Sequence, residues 1–177
     1  MEADIFTIGH STRPVEEFID IIASAGVDLV VDVRTVPRSR TNPAYNSDAL
    51  PATLQPHGIG YRRIEELGGL RKKQAVPEET NAFWQNRSFH NYADYALSDR
   101  FQEGLSELLE LSREHVCAIM CAEAVWWRCH RRIIADYLIQ NGKQVAHLMG
   151  PGNTQKASPT PAAAMSESGQ IVYPAEG

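Results

Sequence analysis

The chain has 177 residues, 43% of them hydrophobic and 22% charged, with 17 Lys and Arg against 22 Asp and Glu and a formal net charge of −5. A chain of this size buries most of the apolar surface that its unfolded form exposes, so neither a disulfide framework nor a structural metal is needed to hold a core. The acidic balance argues against a protein that grips nucleic acid through bulk charge and leaves that role only to a local basic cleft.

The first residues, MEADIFTIGHS, contain no basic segment followed by a long apolar stretch, and no run approaches the ~18 apolar residues of a membrane span. Cys117, Cys121 and Cys129 are an odd set within one short stretch, which makes a poor disulfide framework. A reducing cytoplasm, without export or membrane insertion, is the expected setting.

Asp4 to Gly9 is short, apolar and β-branched and runs into Gly9-His10-Ser11-Thr12, which predicts a buried strand ending in a functional turn. Pro14 opens a helix whose Phe18, Ile21, Ile22 and Ala25 recur at helical spacing, with Gly26 at its stop. Asp28 to Arg34 is a nearly continuous apolar run of the kind carried by parallel strands covered on both faces. Residues 35 to 47, TVPRSRTNPAYNS, have no apolar period and predict a long loop of the sort that often binds. A short helix through Leu50 and Leu54 and a strand from Ile59 to Ile64 follow. In the next turn, Leu67-Gly68-Gly69, the backbone must closely approach another segment or a ligand. Lys72 to Arg87 carries no period that places it. Helical spacing returns from Tyr92 to Ser112, broken near Ser98-Asp99. Val116 to Cys121 reads as a buried strand, Trp127 to Asn141 as a helix stopped by Gly142, and Gln144 to Met149 as a final strand.

This alternation predicts an α/β fold: a three-layer α/β/α sandwich around a mostly parallel sheet of four or five strands, with residues 1–150 as one domain. From residue 151 to 177 large apolar residues become scarce, which predicts a low-complexity C-terminal extension with a short edge strand near 170–173.

Ligands of open α/β sheets bind beyond the carboxyl ends of the strands. Here those ends carry His10 and Ser11, Asp32 and Arg34, and Cys121 and Glu123 leading to Cys129, His130 and Arg131. Cys121 is the candidate nucleophile, its thiolate favoured by a helix N-terminus and by Arg34, Arg128 or Arg131; a small buried hydrophobe is the alternative. Cys117, deep in its strand, reads as core. Glu123, His10 and His130 are the candidate acid/base groups, against an ion pair for Glu123 and a satisfied buried imidazole for His10. Asp32 lies in an apolar strand, needs a partner there, and is expected to orient the arginines.

Arg34, Arg38, Arg128 and Arg131 follow strand ends in an acidic protein and point to an anionic ligand, with Ser11, Ser39 and Cys129 as further contacts. Arg40 and Arg132 are expected to face solvent or local carboxylates. Tyr45, Trp126 and Trp127 offer faces for stacking a base or for packing. Cys121, Glu123, Cys129 and His130 are also ligand types for zinc or iron, with His10 as a further candidate. Adjacent helical residues point about 100° apart, however, so Cys129 and His130 share a metal only at a distorted helix start. A metal is not the favoured reading, and no cofactor is identified. His57, His90, His115 and His147 lack comparable company.

The motifs TIGHS (7–11), VDVR (31–34), PRSR (37–40), LGG (67–69), YADY (92–95), CAE (121–123) and CHR (129–131) occur in this order. As a set they resemble the domain of unknown function 488 family over about residues 4–149. That resemblance implies a fold and a site rather than an activity. VDVR and the order Cys, loop, helix, Gly, strand are more distantly similar to rhodanese and to low-molecular-weight phosphatases. The six residues between Cys121 and Arg128, AEAVWW, depart from those families by carrying two tryptophans and no glycine, so the likeness extends to architecture only.

The expected function is a thiol-dependent transferase or hydrolase acting on a phosphorylated or otherwise anionic substrate, a nucleotide or nucleic-acid end among them. A non-catalytic nucleotide- or nucleic-acid-binding module is the alternative, and a Cys/His metal-dependent enzyme the third reading.

Overall fold

The computed structural model describes residues 3–166 and 168–175. Strands β1 (Ile5–Gly9), β2 (Leu29–Asp32), β3 (Gly60–Arg63), β4 (Cys117–Cys121), β5 (Val145–Gly150) and β6 (Asn153–Lys156) form one sheet in the order β3-β2-β4-β1-β5-β6. Every pairing among β1 to β5 is parallel, and β6 returns antiparallel to β5. The helices are α1 (Val15–Ser24), α2 (Leu50–Leu54), α3 (Arg87–Tyr95), α4 (Asp99–Glu114) and α5 (Arg131–Gln140).

Side chains alternate across a strand, so a strand buried on both faces must be apolar at every position. That is how the sequence is used. Phe6, Ile8, Val30, Ala118 and Met120 join Phe18 and Ile22 of α1 and Leu50 and Leu54 of α2 in one cluster. Ile5, Leu29, Val31 and Ile119 join Tyr92 of α3, Phe101 and Leu105 of α4, and Ile133 and Leu138 of α5 in another. The expected break near Ser98 is real: Ser98 Oγ accepts the Phe101 N–H at 3.3 Å and caps α4 as α3 ends.

The mostly parallel α/β sheet expected from the sequence is present, with six strands rather than four or five. The sixth comes from the segment after residue 150, where alternation is too polar to signal a strand. The strand expected near 170–173 is β8 (Ile171–Val172), which pairs with β7 (Ala164–Met165) in a separate ribbon rather than on the main sheet. This segment is anchored, not loose: Tyr173 is fully buried and its hydroxyl donates to Asp136 Oδ2 of α5 at 2.8 Å. No helix among the described residues is long and apolar enough to cross a membrane.

Two features position the site. Insertion of β4 between β1 and β2 aligns Gly9 with Cys121 and Asp32 with Met120, so three carboxyl ends meet. And α5 begins at Arg131, later than the helical spacing from Trp127 suggests, because a tight turn at Trp126–Arg128 precedes it. Cys129 and His130 therefore lie before the helix and escape its 100° fan.

Candidate functional site

Asp32 is fully buried at the end of β2 and accepts a two-pronged grip from Arg34, Nε to Oδ1 at 2.9 Å and Nη2 to Oδ2 at 2.7 Å. The Tyr61 hydroxyl also donates to Asp32 Oδ2, and Arg34 Nη2 donates to the Tyr45 carbonyl at 2.7 Å. Asp32 thus orients Arg34, as its place in an apolar strand demands. His10 backs this arrangement. Its Nδ1 donates to the Ser11 carbonyl at 2.9 Å, which leaves Nε2 to accept from Arg34 Nη1 at 3.3 Å, and its ring stacks on Tyr45. Burial, with the Arg34 charge, holds the His10 pKa below the ordinary imidazole value. His10 is not among the residues lining the adjoining cavity, and its two ring nitrogens are engaged with the Ser11 carbonyl and Arg34.

At the end of β4 the sulfurs of Cys121 and Cys129 lie 2.6 Å apart, and both cysteines are free. Arg131, the first residue of α5, is 0% exposed and points its Nε at both, 3.1 Å from Cys121 Sγ and 3.4 Å from Cys129 Sγ. Its other donors reach Thr7 Oγ1 and the Glu123 carbonyl, each at 2.9 Å. Among the described residues no carboxylate lies within ion-pair distance of Arg131. A buried guanidinium without an anion is costly, and among the described residues the ionisable groups in contact with it are the two thiols.

The two sulfurs are not equivalent. Cys129 Sγ also accepts the Arg131 backbone N–H at 3.4 Å, the first of α5, and faces His130 Nδ1 at 3.5 Å. His130 Nε2 donates to the Val33 carbonyl at 2.7 Å, which fixes the ring so that Nδ1 is the nitrogen turned to sulfur. Burial works to raise the Cys129 pKa, but the Cys121 thiol, His130 and Arg131 outweigh it and hold Cys129 well below the ordinary thiol range. Burial and the charge of Cys129 push Cys121 well up. The two thiols titrate together, and the contacts of Cys129 with the Arg131 backbone N–H and with His130 make it the more acidic of the two. Cys117, at the far end of β4, is pushed up by burial to about 12.

Glycines permit this convergence. A Cβ on Gly9 would fall 1.7 Å from the Glu123 carbonyl oxygen, and one on Gly69 would fall 2.5 Å from His130 Nδ1. The close approach expected at Leu67-Gly68-Gly69 is therefore to another segment, the CHR turn.

A cavity of about 310 Å³ opens over the two sulfurs. Arg34, Arg38, Glu123, Arg128, Cys129 and His130 contribute to its polar side and Val36, Leu70, Phe89 and Tyr92 to its apolar wall. Glu123 and Arg128 are exposed, and Arg38 makes only a 3.5 Å contact with Asp48. Of the remaining expected contacts, Ser11 and Ser39 lie off the cavity: the Ser11 carbonyl receives His10, and Ser39 Oγ receives the Asn42 N–H at 3.0 Å within the loop. Arg131 is beneath the sulfurs, not on the cavity wall. Arg132 stacks over Trp84 instead of facing solvent. Among the described residues no group of three or more His, Cys, Asp or Glu is placed to hold a metal ion.

Neither Thr7 nor His147 stands out in the sequence as a site residue. Thr7 Oγ1 accepts from Arg131 and donates to His147 Nδ1 at 2.6 Å, and the His147 ring stacks on Trp126. The available signal was register: a threonine in an apolar strand facing a histidine at the matching position of β5.

Residues 14–138, from α1 into α5, match the family described as domain of unknown function DUF488. The chain belongs to that family. The match spans Asp32, Arg34 and the segment from Cys121 to Arg131, while His10, Ser11, Thr7 and His147 of this DUF488 chain fall outside it. Comparison with curated proteins and with solved structures gives no match.

Proposed function

We propose that this chain is a thiol-dependent enzyme of the reducing cytoplasm, a transferase or hydrolase acting on a phosphorylated or otherwise anionic small molecule or nucleic-acid end, with Cys129 as the nucleophile. One observation carries this reading: Arg131 is fully buried with no carboxylate partner among the described residues, and its Nε bridges two cysteine sulfurs. A thiolate at the N-terminus of a helix, beside a guanidinium and an imidazole, is the activated form of cysteine. Among the described residues Arg128 makes no ion pair and Arg38 only the 3.5 Å contact with Asp48, and both lie at the cavity, where they would receive the substrate's charge. In the reaction Cys129 Sγ bonds to the electrophilic centre as the bond to the leaving group breaks, and the leaving group takes its proton from water in the cavity that Glu123 and His130 line. Water or an acceptor then takes the bound group. Asp32 and His10 hold Arg34 in place throughout.

The test is alkylation of the native reduced protein with and without inorganic phosphate, read cysteine by cysteine. Cys129 is expected to label fastest and to be protected by phosphate. Labelling of Cys129 no faster than an ordinary thiol would overturn the assignment.

A second reading, a non-catalytic binder of nucleotides or nucleic acid, is favoured by Trp127, which is 45% exposed next to Arg128. It predicts a steep loss of binding with salt and indifference to Cys129→Ser.

A further inference from the structure

A single thiolate explains one cysteine at this site. It does not explain the second, whose sulfur lies 2.6 Å away, likewise faces the cavity, and is bonded by the same guanidinium. Two sulfurs at this separation need almost no movement to bond, whereas Cys117, four positions back along β4, is walled into the core.

We propose that Cys121 and Cys129 form a two-electron dithiol–disulfide couple, in which Cys129 meets a small hydroperoxide and Cys121 resolves the product. The inference rests on the thiolate assigned to Cys129 above. In the first step Cys129 Sγ attacks one peroxide oxygen; the S–O bond forms as the O–O bond breaks, and the leaving hydroxide or alkoxide takes a proton from solvent and departs as water or alcohol. In the second, Cys121 Sγ attacks the Cys129 sulfenic acid; the S–S bond forms, the S–O bond breaks, and hydroxide leaves with the Cys121 proton as water. Two electrons pass from the two thiols to the peroxide, and an external dithiol returns them.

Arg131 gives this couple its direction. In the reduced state the guanidinium has its anion; in the disulfide it has none, so the reduced form is the stabilised one and reduction by a dithiol is favoured. Oxidation also removes the nucleophile, so the couple would switch the anion-handling activity off in the presence of peroxide.

The experiment treats reduced full-length protein with one equivalent of hydrogen peroxide, blocks free thiols, and maps tryptic peptides without reduction. Cleavage after Arg113, Arg128 and Arg131 puts Cys121 and Cys129 on separate peptides, EHVCAIMCAEAVWWR and CHR. The expected result is that these two peptides are joined with the loss of two hydrogens, Cys117 stays alkylated, and a dithiol restores both. In Cys121→Ser, Cys129 should accumulate as sulfenic acid that a 1,3-dione traps; in Cys129→Ser, Cys121 should stay reduced. Oxidation of wild-type Cys129 straight to sulfinic acid, a link through Cys117, or oxidation of Cys121 in Cys129→Ser would each overturn the couple. Phosphate-protected alkylation of the reduced protein is a separate readout, so the couple can fail while the anion site stands.

Discussion

Arg131 Nε lies 3.1 Å from Cys121 Sγ and 3.4 Å from Cys129 Sγ in a place with no exposure to solvent. We propose that a thiolate on Cys129 balances this guanidinium, since either charge alone would be uncompensated in the interior. Replacing the arginine should therefore act on the cysteine. In Arg131→Met the Cys129 pKa is expected to rise, and its alkylation rate at neutral pH to fall at least ~10-fold, one pKa unit being a tenfold change in thiolate fraction there. Arg131→Lys keeps the charge but loses the fork and should fall between the two. Circular dichroism of both variants separates chemistry from unfolding.

Asp32 and Arg34 form a buried ion pair at the rim, 2.7 Å between Arg34 Nη2 and Asp32 Oδ2. Asp32→Asn leaves Arg34 buried without its carboxylate and should cost about 3–5 kcal/mol of unfolding free energy, measured by denaturant titration. A loss under about 1 kcal/mol would mean that water replaces the carboxylate there.

Gly69 tests the fit between the LGG turn and His130. The Cβ of Gly69→Ala would overlap the His130 ring at 2.5 Å and should displace Nδ1 from Cys129. The expected outcome is a stability loss of about 1–3 kcal/mol together with slower Cys129 alkylation. Gly9→Ala meets backbone rather than a side chain, at 1.7 Å from the Glu123 carbonyl oxygen, and should fail to fold.

Stability should fall on mild acidification through His147. Burial, with the Arg131 charge, holds its pKa at about 4 against 6.5 for an unperturbed imidazole. Between those values the unfolded chain binds the proton and the folded one does not, so stability is full above pH ~6.5 and declines towards pH ~4. The limit is roughly 3 kcal/mol at 1.36 kcal/mol per pKa unit. His10, also held below its ordinary value, adds in the same direction. His147→Gln, whose side-chain oxygen can still accept from Thr7, should flatten this acid limb in denaturant titrations at several pH values.

The fold was largely legible because burial on both faces writes itself as apolar runs: β1, β2, β4 and β5 all fall within the runs that announce them, give or take a residue. The segment after residue 150 was legible only in part: the strand expected near 170–173 is β8, but β6 is an edge strand of polar residues, and the burial of Ile171 and Tyr173 is not announced in a segment otherwise poor in large apolar residues. At the site, Asp32 as organiser of Arg34 followed from an acid in an apolar strand. The difference between the cysteines did not. Trp126-Trp127 looked like the opening of a helix, and only its start at Arg131 sets Cys129 at the helix entrance and leaves Cys121 as its partner. The link from Arg131 through Thr7 to His147 depends on strand register, which composition cannot show.

On the proposed reading one thiolate, on Cys129, balances the buried charge of Arg131. The most direct test is the pH dependence of alkylation of each cysteine in the native reduced protein, resolved by peptide mass spectrometry. The account predicts that Cys129 labels with an apparent pKa well below the reference of about 8.5, that Cys121 and Cys117 label only slowly, and that Arg131→Lys shifts the Cys129 profile upward. A Cys129 profile at or above the reference value, or one indifferent to Arg131, would contradict it.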